Sequence, residues 1–369
     1  MTHLALAPEV EQLREIVRTL CRDRLSPAAG DAENQRLIPA HIIRSLNELG
    51  ILSPLDSNAD QLLDPVAMVV IAEELGAGDP GVAYETMSGA HAALAISQIG
   101  SDAQRISIVD QGPSGALPLG SLWFYEGFGR GPDEYLTTIV RTGDQLTLDG
   151  RKIAVVRPGT ADFAVVIGRY SDQAVAVVLD RHDTGRCNID RDDRTTGKLG
   201  LNAAHTGNIR LAGVRVPASS VLAAGSELAV DRLVASARLS TAAIAVGAGR
   251  AAVRYAADYA TTREAFGQRI SAYQGVSFPL AEADMGLNHA RSAILDLAIR
   301  LSEAVDPVAL ARETGQIVAA ATKAALSATV TGVNTLGGHG FLADYPVERW
   351  YRAAGTLAAI DDDPLLFGY

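Results

Sequence analysis

Residues 263–274 read REAFGQRISAYQ, and residues 334–352 read NTLGGHGFLADYPVERWYR. Each stretch interrupts a region whose pattern is otherwise helical, with long runs rich in alanine and glycine on both sides. Helices of about 25 or more residues with small side chains suit close helix-to-helix contact. The chain from residue 225 to residue 369 is therefore predicted to form a helical bundle.

The first part of the chain is also helical in pattern, from residue 1 to residue 117. In EVEQLREIVRTLCRDRL, residues 9–25, apolar side chains recur at the i, i+3, i+4 and i+7 spacing of one helix face. IPAHIIRSLNELGIL, residues 38–52, follows the same rule, and Gly50 is predicted to be its C-cap. We expect an all-α N-terminal domain.

Residues 118–224 have a different sequence pattern, in which short runs of β-branched residues alternate with turn residues. Thr142-Gly143-Asp144 and Asp149-Gly150 separate such runs and are predicted to be hairpin turns. A small antiparallel β-domain fits this segment best.

Composition narrows the class of function. Hydrophobic residues make up 48% and charged residues 20% of the chain, and the net charge is −11. No stretch concentrates lysine and arginine, so a nucleic-acid partner is not expected. Cys21 and Cys187 have no metal or redox spacing and are predicted to be inert thiols. The N-terminus is unlike a signal peptide and no apolar run is long enough to span a membrane, so we expect a cytoplasmic protein.

The two quoted stretches resemble signatures of the acyl-CoA dehydrogenase family. REAFGQRISAYQ matches its Arg-x-x-Phe-Gly…Gln segment, and NTLGGHGFLADYPVERWYR is similar to Gln-x-x-Gly-Gly-x-Gly-Phe followed by Tyr-Pro and Glu-Arg. The resemblance implies an α+β multidomain fold: a helical N-terminal domain, a middle antiparallel β-barrel or sandwich, and a C-terminal four-helix bundle.

The resemblance also implies FAD and an oligomer, a homodimer or homotetramer, since in the family these elements embrace the FAD bound mainly by the neighbouring subunit. A guanidinium such as Arg263 can hold a pyrophosphate through forked hydrogen bonds. Glycines let backbone amides approach a dinucleotide closely, although GGHG could equally be a tight turn between helices. The implied FAD contacts are Arg263, Phe266, Gln274, Asn334, Gly337, Gly338 and Gly340.

The segments that touch the flavin ring in the family depart from its pattern. The first reads FYEGFGRGPDEY, residues 124–135, so the candidate replacements for flavin contacts are Phe124, Tyr125, Glu126 or the nearby backbone. In the second, Ala154 stands where the family has tryptophan and Val156 where it has threonine.

The position of the family's catalytic glutamate falls on Asp361, nine residues after Arg352. Aspartate has the right functional group for removing an α-proton but is about 1.5 Å shorter than glutamate. Asp362 and Asp363 follow directly, and three adjacent charges favour water. Asp361 is thus either the base or part of a solvated acidic terminus. The alternative family position falls on Ala237, which offers no base.

Other polar residues carry two interpretations each. Tyr84 and Glu85 fall on a helix that lines the acyl pocket in the family, or on a face turned to solvent. Arg238 could orient or neutralise the base, or form an ion pair on the bundle surface. His91 is predicted to be a core histidine with its hydrogen bonds satisfied. His339 is interpreted as an ordinary polar residue of an exposed loop.

Three functions remain open. The first is FAD-dependent α,β-oxidation of an acyl thioester, delivered on CoA or on an acyl carrier protein, with electrons passed to an electron-transfer acceptor. The second is a half-site subunit of a heteromer, which lends Arg263 and the GGHG loop to the FAD of a paralogue. The third is a flavoenzyme of specialised metabolism with an altered reaction.

Overall fold

The computed structural model describes residues 6–52, 64–109, 118–127, 135–189, 198–222, 227–301 and 306–361. The α-helices are α1 Pro8–Leu20, α2 Ser26–Gln35, α3 Ala40–Glu48, α4 Pro65–Gly78, α5 Pro80–Ile99, α6 Asp102–Val109, α7 Arg181–Arg186, α8 Glu227–Thr262, α9 Gln274–Arg300, α10 Pro307–Leu336 and α11 Val347–Asp361. The strands are β1 Gly120–Trp123, β2 Thr138–Thr142, β3 Gln145–Val156, β4 Phe163–Tyr170, β5 Gln173–Asp180, β6 Asn188–Ile189, β7 Thr206–Pro217, β8 Glu264–Ala265 and β9 Gln268–Arg269. Among the described helices, none has the length and apolar character needed to cross a bilayer.

The early helices have start and stop signals that the sequence carries. Asp64 and Asp79 cap α4 and α5 by accepting hydrogen bonds from Val66 N at 2.7 Å and Val82 N at 2.9 Å. Gly50 lies just past α3 with a positive φ of 71°, which confirms the predicted helix end. Local residues therefore set where these helices begin or end, while packing supplies most of their stability.

Helix α4 lies directly against α8. A Cβ atom at Gly76 would collide with the backbone of Ile244, and one at Gly247 with the carbonyl of Glu73. The two helices touch backbone to backbone as a result. One hydrophobic core runs from Val17 in α1 to Ile360 in α11 and joins the N-terminal helices to the bundle.

The strands β1 to β7 form a seven-stranded sheet in the order β1-β4-β2-β3-β7-β6, with β5 also paired to β4. Most pairings are antiparallel, but β1 and β2 run parallel to β4. The predicted turn at Gly143-Asp144 is confirmed, since Thr142 pairs with Gln145. The predicted turn at Asp149-Gly150 is wrong.

Gly150 lies within β3, at a register shift in its pairing with β7. A Cβ atom at Gly150 would collide with the Thr137 side chain, so the glycine serves close packing inside the sheet and not a reversal of the chain.

Helices α8 to α11 form the predicted four-helix bundle. Asp361 contacts Arg238, and Trp350 packs edge-on against Tyr255 with ring centroids 6.2 Å apart, so α11 runs antiparallel to α8. The connection from α8 to α9 and the connection from α10 to α11 therefore lie at the same end of the bundle. These two connections carry the signature stretches.

Candidate functional site

At the end of α11, Asp361 belongs to a buried polar cluster with Arg238 of α8 and Tyr125, which follows β1. Asp361 is 3% exposed and Arg238 is 4% exposed. Arg238 donates from Nη2 to Oδ1 at 2.8 Å and from Nε to Oδ2 at 3.0 Å, and the Tyr125 hydroxyl donates to Oδ2 at 2.6 Å. Both carboxylate oxygens are thus engaged within the chain in a charge-assisted, forked pair.

This geometry decides two of the open interpretations. Asp361 is not solvated, and Arg238 does not form a surface ion pair, so those two alternatives are wrong. Arg238 instead neutralises the carboxylate that occupies the position of the family's base. Asp362 and Asp363 lie outside the described residues.

Tyr84 is buried beside this cluster, which excludes a solvent-facing position for it. Its hydroxyl donates to the carbonyl of Ala154 at 3.1 Å, and Ala154 has a left-handed φ of 51° at an irregularity in β3. Burial raises the pKa of Tyr84 and of Tyr125, and the Asp361 charge raises both further. Both phenols therefore remain protonated donors across the physiological pH range.

A cavity of about 20 Å³ remains between α5, β1 and α8. Its lining is Tyr84, Met87, Ser88, His91, Leu122, Phe124, Ala237, Thr241 and Ile244. A space of this size holds about one water molecule. It cannot hold an acyl chain without rearrangement of the side chains around it.

His91 is confirmed as a satisfied core histidine. Its Nδ1 lies 2.8 Å from the Met87 carbonyl and its Nε2 lies 3.2 Å from Ser236 Oγ. Burial lowers its pKa to about 4. His91 is therefore neutral at physiological pH and has both ring nitrogens occupied.

Glu85 is buried as well, but it does not contact the Asp361 cluster in the described contacts. Arg157 Nη2 lies 2.6 Å from its Oε1, and the backbone N–H of His205 donates to its Oε2 at 2.8 Å. This carboxylate links α5 to the loops at one end of the sheet. Its contacts are those of a structural counter-ion.

Phe124 and Glu126, the candidate flavin contacts after β1, face inward. Phe124 is buried against Tyr125, with ring centroids 4.0 Å apart. Glu126 accepts from Lys152 Nζ at 2.6 Å and from the Thr137 backbone N–H at 3.1 Å. Burial lowers the pKa of Lys152 to about 8, although the Glu126 charge opposes this shift. Glu126 is thus the counter-ion of a fully buried lysine.

The first signature stretch lies on the surface. Arg263, Phe266 and Gln274 are all exposed, and Phe266 reaches 97%. Phe266 and Gly267 form the turn between β8 and β9 with φ values of 51° and 86°. The Phe266 ring is therefore open to solvent on the surface of this chain.

The glycines of the second stretch lie in different surroundings, two of them open and one packed against the chain. Gly337 ends α10 with φ of 60°, and no atom lies within 4 Å of a Cβ built on it or on Gly338. A Cβ at Gly340 would collide with the carbonyl of Val333, so that glycine serves packing within the chain. Asn334, in the last turn of α10, is exposed. The backbone at Gly337 and Gly338 is therefore open to a ligand or partner.

The remainder of this stretch anchors α11. Arg352 donates to Glu33 of α2 at 2.6 Å and to Glu348 at 2.6 Å, while Arg349 lies 3.4 Å from Asp79. Burial raises the pKa of Asp79 to about 6, which the nearby Arg349 charge partly offsets. The second signature thus combines an exposed loop with a structural ion-pair network.

The two parts of the candidate site are far apart. From Arg238 to Thr262, next to Arg263, α8 extends about 36 Å at 1.5 Å per residue. The exposed end of the bundle, around Arg263 and Gly337, fits the phosphates of a dinucleotide because it offers a guanidinium and open backbone. The closed end, around Asp361, does not fit a flavin ring together with an acyl thioester, since its own side chains occupy the space.

Some of the contacts in these clusters escaped the sequence analysis. Tyr125 lies 236 residues before Asp361, and Arg157 and Lys152 pair with carboxylates from other elements, so no spacing rule connects them. The FYE triplet did mark Tyr125 as a candidate flavin contact, but nothing in the sequence indicated its hydrogen bond to Asp361.

Comparison with known proteins gives a consistent result. The profile of "Acyl-CoA dehydrogenase, N-terminal domain" matches residues 7–112, and that of "Acyl-CoA dehydrogenase, C-terminal domain" matches residues 223–361. An acyl-CoA dehydrogenase of Bacillus subtilis (strain 168) is 26% identical over 359 residues, which cover 94% of this chain and 92% of the relative.

Solved structures resemble the fold closely. Glutaryl-CoA dehydrogenase from Mycobacterium smegmatis is 26% identical with a TM-score of 0.81, covering 97% of this chain and 92% of that one. A glutaryl-CoA dehydrogenase from the same organism in complex with FADH2 is 23% identical, with a TM-score of 0.80 and coverages of 96% and 90%.

Proposed function

The chain belongs to the acyl-CoA dehydrogenase family, and from this membership we propose that it is a subunit of a FAD-dependent acyl-CoA dehydrogenase whose flavin is held mainly by a partner chain. Enzymes of the family are oxidoreductases that act on the CH–CH bond of an acyl thioester. In this proposal the exposed end of the bundle completes the partner's FAD site, and the closed end has a structural role.

The proposal rests on one observation: Asp361, at the position of the family's base, is buried and already hydrogen-bonded within the chain. A general base needs a free oxygen within hydrogen-bond reach of the proton it removes. Arg238 and Tyr125 occupy both oxygens of Asp361, and the adjoining cavity has room for about one water molecule. Within the described residues, the Asp361 end of the bundle offers neither a free carboxylate oxygen nor room for an acyl chain, while the exposed end around Arg263 supports a contact with a neighbour.

The exposed residues have distinct parts in this proposal. Arg263 forms forked hydrogen bonds to the pyrophosphate, and the backbone at Gly337 and Gly338 lets the dinucleotide approach closely. Phe266 and Gln274 border the same contact. FAD, when bound, supplies the hydride acceptor for the oxidation.

The test is the flavin content of the purified protein, alone and co-expressed with a second acyl-CoA dehydrogenase chain from the same genome. We expect the chain alone to be colourless, and the heteromer to contain half as many flavins as chains and to oxidise an acyl thioester. A homo-oligomer of this chain with one FAD per chain contradicts the proposal.

Arg263 provides a sharper test within the heteromer. Arg263→Ala removes charge-assisted hydrogen bonds and is expected to weaken FAD binding about 10- to 100-fold. Arg269→Ala, an exposed arginine in the same hairpin, is the matched control and should leave FAD affinity near the wild-type value. Equal effects of the two substitutions would argue against a specific contact.

A second candidate function is a homo-oligomeric enzyme that uses Asp361 as its base. The location of Asp361 favours this function. Its hydrogen-bond partners Arg238 and Tyr125 are the next residues in the chain after Ala237 and Phe124, and those two residues line the small cavity. For this function Tyr84 and Tyr125 have to move aside when the substrate binds. Turnover by flavinated homo-oligomers that disappears in Asp361→Asn supports this alternative.

A further inference from the structure

Tyr259, in the last turn of α8, connects the two exposed stretches to each other. Its backbone carbonyl accepts the hydrogen bond of Arg263 N at 2.9 Å, and its hydroxyl shares a hydrogen bond with His339 Nδ1 at 2.9 Å. Arg263 begins the first stretch and His339 is the variable residue of GGHG. One residue therefore contacts both exposed stretches, Arg263 through its backbone carbonyl and His339 through its side-chain hydroxyl.

His339 is held on two sides. Its ring stacks on Tyr345 with centroids 5.1 Å apart and an interplanar angle of 25°, and it meets the Tyr259 ring edge-on at 6.1 Å. The loop returns on itself, since Leu342 N donates to the His339 carbonyl at 3.1 Å and Tyr345 N donates to the Leu342 carbonyl at 3.0 Å. The imidazole is the point at which the loop meets α8.

The hairpin that follows Arg263 is equally fixed. Ile270 N donates to the Arg263 carbonyl at 2.9 Å, and the Tyr273 hydroxyl donates to the carbonyls of Ala265 and Phe266 at 3.1 and 3.3 Å. The hairpin and the glycine loop are thus two internally hydrogen-bonded parts, and the bond from Tyr259 to His339 joins the glycine loop to the end of α8, from which the hairpin extends.

We propose that Tyr259 is a positioning residue for the dinucleotide: its hydroxyl fixes the Gly337–Gly340 loop relative to Arg263. The inference rests on the proposed function, in which both parts contact one FAD. A ligand that spans two parts binds more weakly when their relative position has to be ordered during binding. Loss of the hydroxyl is expected to weaken FAD binding without removing any group that touches FAD.

The experiment measures FAD affinity of the flavin-binding assembly by flavin fluorescence after removal and re-addition of FAD. Tyr259→Phe should raise the dissociation constant about 3- to 10-fold, as expected for one hydrogen bond, and should leave kcat at saturating FAD unchanged. Tyr255→Phe, one turn earlier on α8, is the matched control and should match wild type.

A double-substitution cycle separates this role from general support of the fold. His339→Phe keeps an aromatic ring against Tyr345 but removes Nδ1, so it should weaken FAD binding by the same factor as Tyr259→Phe. The double variant should bind FAD no more weakly than either single variant, because both substitutions remove the same hydrogen bond.

The outcomes are distinguishable. Wild-type FAD affinity in Tyr259→Phe, or additive effects in the double variant, overturns the role of Tyr259 and leaves the proposed function intact. An assembly that takes up no FAD, or whose affinity is insensitive to Arg263→Ala, overturns the proposed function itself.

Discussion

Replacing Asp361 with asparagine tests the closed end of the bundle most directly. The substitution keeps the shape and an acceptor for the Tyr125 hydroxyl, but it removes the carboxylate charge that pairs with the buried Arg238 guanidinium. Removal of one partner of a buried pair costs about 3–5 kcal/mol. Coulomb's law gives a similar figure, about 4 kcal/mol for charges about 4 Å apart at an effective dielectric of about 20.

Such a loss is large against a total unfolding free energy of about 5–15 kcal/mol. Urea unfolding at a fixed chain concentration measures it, with Arg238→Met and the double variant completing a cycle. We expect the double variant to lose less than the sum of the single losses, since it removes both charges of the pair together. Asp102→Asn, at an exposed carboxylate paired with Arg105, is the control and should change stability far less.

The same variant decides the chemical role. At a temperature where Asp361→Asn stays folded, the flavin-containing heteromer is expected to keep its turnover, because the partner supplies the base. A loss of turnover beyond about 100-fold in a folded assembly identifies Asp361 as the base, since misplacing or removing a reacting group has effects of this size. Unfolding that shifts no more than in Asp102→Asn would falsify the buried ion pair.

Three further predictions concern stability. The pKa of Lys152 falls from 10.5 to about 8 on folding, so the unfolded chain binds more protons between these pH values. The unfolding free energy should therefore rise by about 2 kcal/mol from this residue between about pH 8 and pH 10. Denaturation at these two pH values checks this, and Lys152→Met should remove that part of the slope. Gly247→Ala forces a Cβ against the Glu73 carbonyl and should cost about 1–3 kcal/mol, whereas Gly286→Ala, at an open helical position, should gain up to about 1 kcal/mol; equal effects would refute the close crossing of α4 and α8. Tyr125→Phe removes a hydrogen bond to a charged group and should cost about 1.5–3 kcal/mol in thermal or urea melts, and an unchanged melting curve would show that Arg238 alone satisfies the carboxylate.

Local chemistry made much of the fold predictable. The Gly143-Asp144 turn and the helix end at Gly50 follow from residues within a few positions of each other. Asp149-Gly150 has the same local signal but lies inside a strand, because Gly150 packs on Thr137 and β3 pairs with β7. A turn signal therefore fails where a distant strand competes for the same backbone.

The same contrast between local and long-range contacts applies to the candidate site. The exposed stretches are continuous in sequence, so their residue types could be read directly from residues 263–274 and 334–340. The partners of Asp361 lie 123 and 236 residues away, and no periodicity brings them together. Sequence located the position of the carboxylate, but only the packing of α8, α11 and the chain after β1 determined its state.

The forked pair between Arg238 and Asp361 makes the rigidity of this end of the bundle independent of substrate. A pocket that opens to a substrate reaches its full rigidity only when the substrate arrives, so its stability depends on ligand concentration. Here the Tyr125 hydroxyl and the Arg238 guanidinium are permanent internal occupants, and this end of the bundle gains its rigidity during folding. In the proposed heteromer, α8 would therefore hold Arg263 against the partner from an end of the bundle whose position does not depend on substrate.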